Sequence, residues 1–222
     1  MSKKVLIMGG GGNASVIAFA IIDANKRGDH SLEFVGYVND RDGVDEIEGY
    51  PVVGGLKDIP RLIEEDYYFI NAIGKIGVQE ARINLLESLN IPDERYVTFI
   101  HPLAYVAPNV ELGVGCVVMP NVSISPGTKI GKCTRIMVNA IIGHNNTIGD
   151  YCFFAAHSCT GAYLKIEDGV FVSLNATVRE FLTLKKYSTV GMGAVLLKNT
   201  EENEIWVGNP AKKIELKREV LS

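Results

Sequence analysis

The 222-residue chain holds one tryptophan and four cysteines. Cys116, Cys133, Cys152 and Cys159 form no CxxC pair, and no histidine stands from them at zinc-finger spacing, so no metal site is expected. They read as free thiols of a reducing compartment. No apolar stretch approaches the length of a membrane span. The opening MSKKVLIMGGGGNAS places only four apolar residues before its glycines, too short a run for the core of a secretory signal. Positive charge is also scarce: 22 Lys and Arg against 26 Asp and Glu leave a net charge of −4, which argues against a nucleic-acid partner. These absences describe a cytoplasmic protein with neither membrane nor nucleic acid among its partners. Apolar residues are not scarce. They make up 47% of the chain against 22% charged, which suits a packed core.

Residues 1–98 read as a small α/β unit. KVLIM (4–8) is a continuous apolar run, as a strand buried on both faces requires. GGGGN (9–13) follows, then ASVIAFAIIDANK with helical apolar spacing. LEFVGYV (32–38) and YYFINAI (67–73) read as further strands, and DIPRLIEE (58–65) and GVQEARINLLESL (77–89) as helices. This alternation predicts a small parallel sheet of Rossmann-like type. Glycines after the first strand let backbone approach a ligand, and the next helix presents free N–H groups and the positive end of its dipole. In open α/β sheets ligands lie at the carboxyl ends of the strands. Those ends carry Gly10, Gly11, Gly12 and Asn13, then Asn39 and Asp40, then Ile73, Gly74 and Lys75, and these are the candidate nucleotide-binding residues. The unit is short for a complete dinucleotide fold, and a tight turn without a ligand is the competing reading.

From Val106 the pattern changes to a period of six. The sixteen leading positions from Val106 to Leu196 are all apolar except Thr160. Gly follows the leading residue at 113, 131, 143, 149, 161 and 191, and the fifth position is mostly small or β-branched. A helix repeats at 3.6 and a strand at 2, so neither explains six. A short strand plus a corner does, and three such hexads close a triangular coil of eighteen residues. Each coil buries its apolar row only against its neighbours, as in a solenoid. Residues eighteen apart then stack in columns. Cys116 and Cys152 share a column two coils apart, about 9.6 Å at parallel-strand spacing, which is too far for a disulfide.

The hexads, the closing VGNPAKKI (207–214) and the glycine-loop front unit together resemble the left-handed β-helix sugar acetyltransferases of bacteria, of the sialic-acid O-acetyltransferase and bacillosamine N-acetyltransferase type. The resemblance covers nearly the whole chain. It implies three segments: a Rossmann-like nucleotide-sugar domain at 1–98, a left-handed parallel β-helix at 99–200 and a C-terminal cap at 201–222. It also implies a homotrimer and acetyl-CoA as cosubstrate, with the pantetheine arm between neighbouring solenoids. The activity implied is N-acetylation of a nucleotide-linked amino sugar, such as a UDP- or dTDP-linked 4-amino-4,6-dideoxy sugar. Sialic-acid-type O-acetylation and a non-catalytic solenoid binding module are the rival readings.

His144, in IIGHNNTIGD (141–150), stands third in its hexad and so at a corner, where nothing structural demands a histidine. The same stretch resembles the family's base motif, which makes His144 the general base. Imidazole suits a task that removes a proton from an attacking amine near neutral pH. The family often carries an acid just after the base, and here that residue is Asn145. Asn145 can bond the ring but cannot offset an imidazolium, so another acid such as Asp150 is a candidate partner. The oxyanion donor is expected one coil later, at Gly161 and Ala162. Gly191, Gly193 and Ala194 are expected to let the pantetheine arm lie close, with Lys198, Lys212 and Lys213 meeting its phosphates. His157 shares a column with Asn121, Asn139 and Asn175, which reads as a structural ladder. His30 and His101 read as surface or junction residues, and Trp206 as packing for the last coil.

Overall fold

The computed structural model describes residues 2–74 and 76–215. The front unit runs β1 (Lys3–Met8), α1 (Asn13–Lys26), β2 (Leu32–Val38), β3 (Glu46–Ile47), β4 (Tyr50–Gly54), α2 (Ile59–Glu64), β5 (Tyr68–Asn71) and α3 (Gln79–Ser88). Its sheet has the order β3-β4-β2-β1-β5, with β1 parallel to both β2 and β5. Val5, Leu6, Ile7 and Met8 are all fully buried, as their unbroken apolar run demands. The hairpin of β3 and β4 is absent from the sequence reading, which has only a polar turn after Asp40. Its strands are two and five residues long, and Glu48 and Gly49 close it with left-handed φ of 51° and 80°. Such short strands carry no measurable alternation.

The strands from Phe99 to Leu196 form the parallel β-helix that the hexads predict, left-handed as the resemblance implies. Two-residue strands form three walls. The first holds pairs such as Ile141–Ile142 and Cys159–Thr160, the second pairs such as Thr147–Ile148, and the third pairs such as Arg135–Ile136 and Phe153–Phe154. Partners differ by eighteen residues throughout, for example Ile142 with Thr160 and Ile148 with Ile166. The leading residue of each pair of coils points inward, so Ile124, Ile142, Val172 and Val190 are fully buried. The glycine after it is a packing requirement. A Cβ at Gly143 would overlap the carbonyl oxygen of Gly161 in the next coil. The three buried thiols Cys116, Cys133 and Cys152 are free, and burial pushes Cys116 and Cys133 up to about 12. They are inert packing groups rather than nucleophiles.

The fourth hexad position turns most corners in the left-handed region. Asn139, Asn145, His157, Tyr163, Asn175 and Phe181 all have φ between 55° and 60°. That conformation costs a residue with a Cβ about 1–2 kcal/mol. The corner is held by N–H donation to the coil before, as from Asn145 N–H to Pro126 O and from Tyr163 N–H to His144 O. The column of His157 is the expected ladder, with its Nε2 3.2 Å from Asn139 Nδ2.

The two parts are tied at several points. His101 is fully buried, with Nε2 3.1 Å from Asp23 Oδ2 on α1 and Nδ1 accepting from Leu103 N–H. Gln79 at the start of α3 donates to Thr189 Oγ1 at 2.8 Å. Glu87 near its end accepts from Tyr151 and pairs with Lys132, which together hold its carboxyl below the usual range. Residues Ile205–Val207 and Lys212–Ile214 close the last coil as an antiparallel pair, with Trp206 packed on the core. Residues 216–222 of the expected cap lie outside the described residues.

Candidate active site

The glycine loop, Asn39–Asp40 and Ile73–Gly74 converge at the carboxyl ends of β1, β2 and β5, where β1 separates two strands reached in opposite directions. Gly12 takes φ 80° and caps α1 without a side chain, so the first-turn N–H groups of α1 face the crevice. Gly11 and Gly12 have no atom within 4 Å of where a Cβ would stand, leaving the loop open to a ligand. Gly10 is different: a Cβ there would lie 2.7 Å from Asn39 Nδ2. Asn39 and Asp40 are also locally committed, Asn39 Oδ1 accepting from Arg41 N–H and Asp40 Oδ1 from Leu56 N–H. Lys75 lies outside the described residues.

Below this crevice, against the solenoid, is a cavity of about 360 Å³. Asn13 and Val16 of α1, Ile76, and Met137, Leu174 and Met192 of the solenoid line it. It sits on the vertex between the third and first walls. His144 sits on the next vertex, between the first and second walls, and is exposed. One chain therefore does not bring His144 to the glycine-loop crevice: the width of the first wall lies between them.

At its own vertex His144 is well held. Its Nδ1 is 3.0 Å from Asn145 Nδ2. Its ring meets Tyr163 at 5.0 Å between centroids and 86° between planes. Tyr163 in turn stacks on Phe181 one coil later, at 5.1 Å and 2°. The corner beneath is fixed by Asn146, which is only 1% exposed. Its Nδ2 donates to Gly143 O at 2.9 Å and Gly161 O at 3.0 Å, and its Oδ1 accepts from Leu164 N–H at 2.8 Å. The sequence reading passes over Asn146, Tyr163 and Phe181. Asn146 had a signal, since it is the one asparagine in a row of small and β-branched fifth positions.

Several expected roles do not match the geometry. Asp150 is not a partner of His144. It stands on the vertex between the second and third walls, where its Oδ1 accepts from Lys132 N–H at 2.8 Å. The N–H of Gly161 is spent on Val178 O at 2.8 Å, so it is not an oxyanion donor. Ala162, stacked directly over His144 in the column, makes no backbone N–H bond among the described residues. Ala194 is fully buried in the prism and offers a ligand no surface. Gly191 is covered by the closing hairpin, a Cβ there falling 2.6 Å from Val207 Cγ1. Gly193 stays open, with φ 64°, on the vertex of the large cavity. Lys198 is exposed in the same column as His144, whereas Lys212 is exposed on the closing hairpin. Lys213 is paired with Glu204 at 2.9 Å.

Residues 4–87 match the family described as PglD N-terminal domain. The whole chain is similar to a variant of perosamine N-acetyltransferase from Caulobacter crescentus, solved in complex with CoA and GDP-perosamine: 27% identity, TM-score 0.83, covering 96% of this chain and 97% of that one. GDP-perosamine N-acetyltransferase of Escherichia coli O157:H7 is 29% identical over 105 residues, 47% of this chain and 48% of that protein. The mitochondrial gamma carbonic anhydrase 2 of Arabidopsis thaliana is 31% identical over 135 residues, 51% of this chain and 46% of that protein. The matches thus span about half the length of these curated relatives.

Proposed function

We propose, for a chain whose front unit matches the PglD N-terminal domain and whose whole length shares the fold of a perosamine N-acetyltransferase, that it moves the acetyl group of acetyl-CoA to the amine of a nucleotide-linked amino sugar. The observation that carries this reading is His144, exposed on a rigid corner with its Nδ1 engaged and its Nε2 side open. The nucleotide lies over Gly10–Asn13 and against Asn39, Asp40, Ile73 and Gly74. The sugar amine attacks the thioester carbonyl carbon, the C–S bond breaks, and the amine proton passes to His144 and on to the leaving thiolate. For this, Nε2 must present its lone pair. A half-turn of the Asn145 carboxamide puts Oδ1 on Nδ1–H and frees Nε2. Gly127, with no Cβ to meet that carboxamide, leaves it room. The N–H of Ala162 is the donor available to the developing oxyanion. Gly193 and Lys198 are the remaining contacts for the arm and phosphates of the cosubstrate, with Lys212 nearer the last coil.

The separation of His144 from the large cavity supports a site completed by a second copy of the chain. Ile141, Tyr105, Tyr163, Phe181, Leu174 and Met192 are large apolar residues left exposed, and all lie on the first wall or its two vertices. A homotrimer covering this surface sets one chain's His144 against the neighbour's crevice, and closed threefold symmetry uses each face once. Sedimentation of the purified protein should give the mass of three chains.

Asn145 favours an amine over a hydroxyl as acceptor, because a hydroxyl is the poorer nucleophile and leans harder on a base whose charge is offset. Among the described residues no group of three His, Cys, Asp or Glu side chains is placed to hold a metal ion. The test is a panel of GDP-, UDP- and dTDP-linked 4-amino sugars and free sialic acid, with thiol release from acetyl-CoA as the readout. An N-acetylated nucleotide sugar is the expected product. Thiol release with none of the amino sugars would end the reading, and no acetyl-CoA binding by calorimetry would favour a plain binding module. Gly10→Ala should raise KM for the nucleotide sugar about tenfold, a loss of ~1.4 kcal/mol, because the new methyl displaces Asn39. KM for acetyl-CoA should stay unchanged.

A further inference from the structure

Where the front unit meets the third wall, a guanidinium is buried without a counter-charge among the described residues. Arg135 is 5% exposed. Its Nη2 donates to Ile73 O at 3.2 Å, and its plane lies over the ring of Phe153 at 4.9 Å. Its Nε and Nη1 have no partner among the described residues. Burial pulls its pKa down to about 10, so it remains a cation at neutral pH. Beside it is a cavity of about 30 Å³. Asn71, Gln79, Arg82 and Tyr151 contribute to the wall, and no carboxylate does among the described residues. Glu87, on the same helix as Arg82, is already taken by Lys132 and Tyr151. Arg82 has no ion pair among the described residues. Gln79 opens α3, a ten-residue helix with no side-chain cap, so the positive end of that helix also meets the cavity.

Two cations and a helix start therefore border one small, partly open space, and the two orphaned N–H donors lie behind it. An unpaired buried charge is strongly disfavoured unless something neutralises it. We propose that this cavity is a binding site for one halide-sized monovalent anion, held by Nε and Nη1 of Arg135, by Arg82 and by the start of α3. Size sets the ligand class. About 10–15 Å³ of such space holds one water, so about 30 Å³ has room for one halide. Charge then favours the anion over water. The site is independent of the acetyl-transfer reading, though it lies under Ile73–Gly74 and pins that loop to the solenoid. Gly74 presses on it closely enough that a Cβ would lie 2.5 Å from Arg135 Nη2.

Crystals of the full-length protein grown in bromide test this directly. An anomalous peak within hydrogen-bond reach of Arg135 Nε and Nη1 is expected, and a water or empty density there overturns the site. In solution, exchanging gluconate for bromide at constant ionic strength should raise Tm by about 3–6 °C at ten times Kd. Arg135→Met should abolish that rise while still folding, since it replaces an orphaned charge with an apolar chain of similar length. An equal rise in Arg135→Met overturns the assignment. Should that variant fail to fold, Arg82→Met on the exposed side takes its place, with a several-fold weaker bromide Kd expected and an unchanged one counting against the site.

Discussion

His144→Ala lowers kcat for acetyl transfer by about 10²–10⁴-fold, the ordinary contribution of a positioned general base. The melting temperature stays where it was, because His144 is exposed and its ring is held by the carboxamide of Asn145 and the ring of Tyr163. What remains after the loss is the rate due to holding amine and thioester together, which needs no base. KM for acetyl-CoA changes little. Full turnover in the variant would remove His144 from the chemistry and with it the mechanism proposed. A loss of turnover matched by a loss of folding would say only that the corner had collapsed, so the two measurements belong together.

Asn146→Ala has the second large effect, and it is chiefly one of stability. The change strips the partner from Gly161 O and Leu164 N–H, while Gly143 O keeps its bond from the Thr128 hydroxyl. Each of the two orphaned buried groups costs about 1–3 kcal/mol, so the whole is roughly 2–6 kcal/mol. For a chain of this length that is a fall in Tm of roughly 10 °C. Because Gly143 immediately precedes His144, activity drops as well, even below the melting transition. Chemical denaturation read at equilibrium would check the first part. A variant as stable as the parent would mean that the corner is held by its backbone bonds alone.

The same two residues show how unevenly the site could be read in advance. His144 stood out because a histidine at a corner position fills no structural need. Asn146 sits two residues away and matters more to folding, yet its row of fifth positions was read for size and not for hydrogen bonds. Its three partners belong to two coils, and only one of those contacts, to Gly143, is local. Asp150 went wrong for a related reason. It follows His144 by six residues, and one hexad is one wall of the prism, so nearness along the chain became a different vertex. Ala194 and Gly191 failed as ligand contacts because small residues serve two ends here. They let an arm approach at the surface, and they let coils pack at the interior and under the closing hairpin.

By itself the order of residues determined the period, and the period determined the solenoid. A row of aliphatics at every sixth place has one way to be buried, against copies of itself, so local pattern and global fold coincide. The parallel sheet of the front unit was readable for the same reason, from the unbroken apolar run of β1 and the glycines behind it. Tertiary structure alone decided which polar groups meet. Arg135 is a surface arginine by its hexad position, and becomes a buried, half-partnered cation only because α3 and the loop after β5 close over it. Likewise Tyr163 and Phe181 become a stacked pair beside His144 only once coils are wound eighteen residues apart. Burial of an apolar row is non-directional and survives in a one-dimensional pattern. Hydrogen bonds and charge pairs are directional and short in range, and they exist only where the wound chain brings their atoms together.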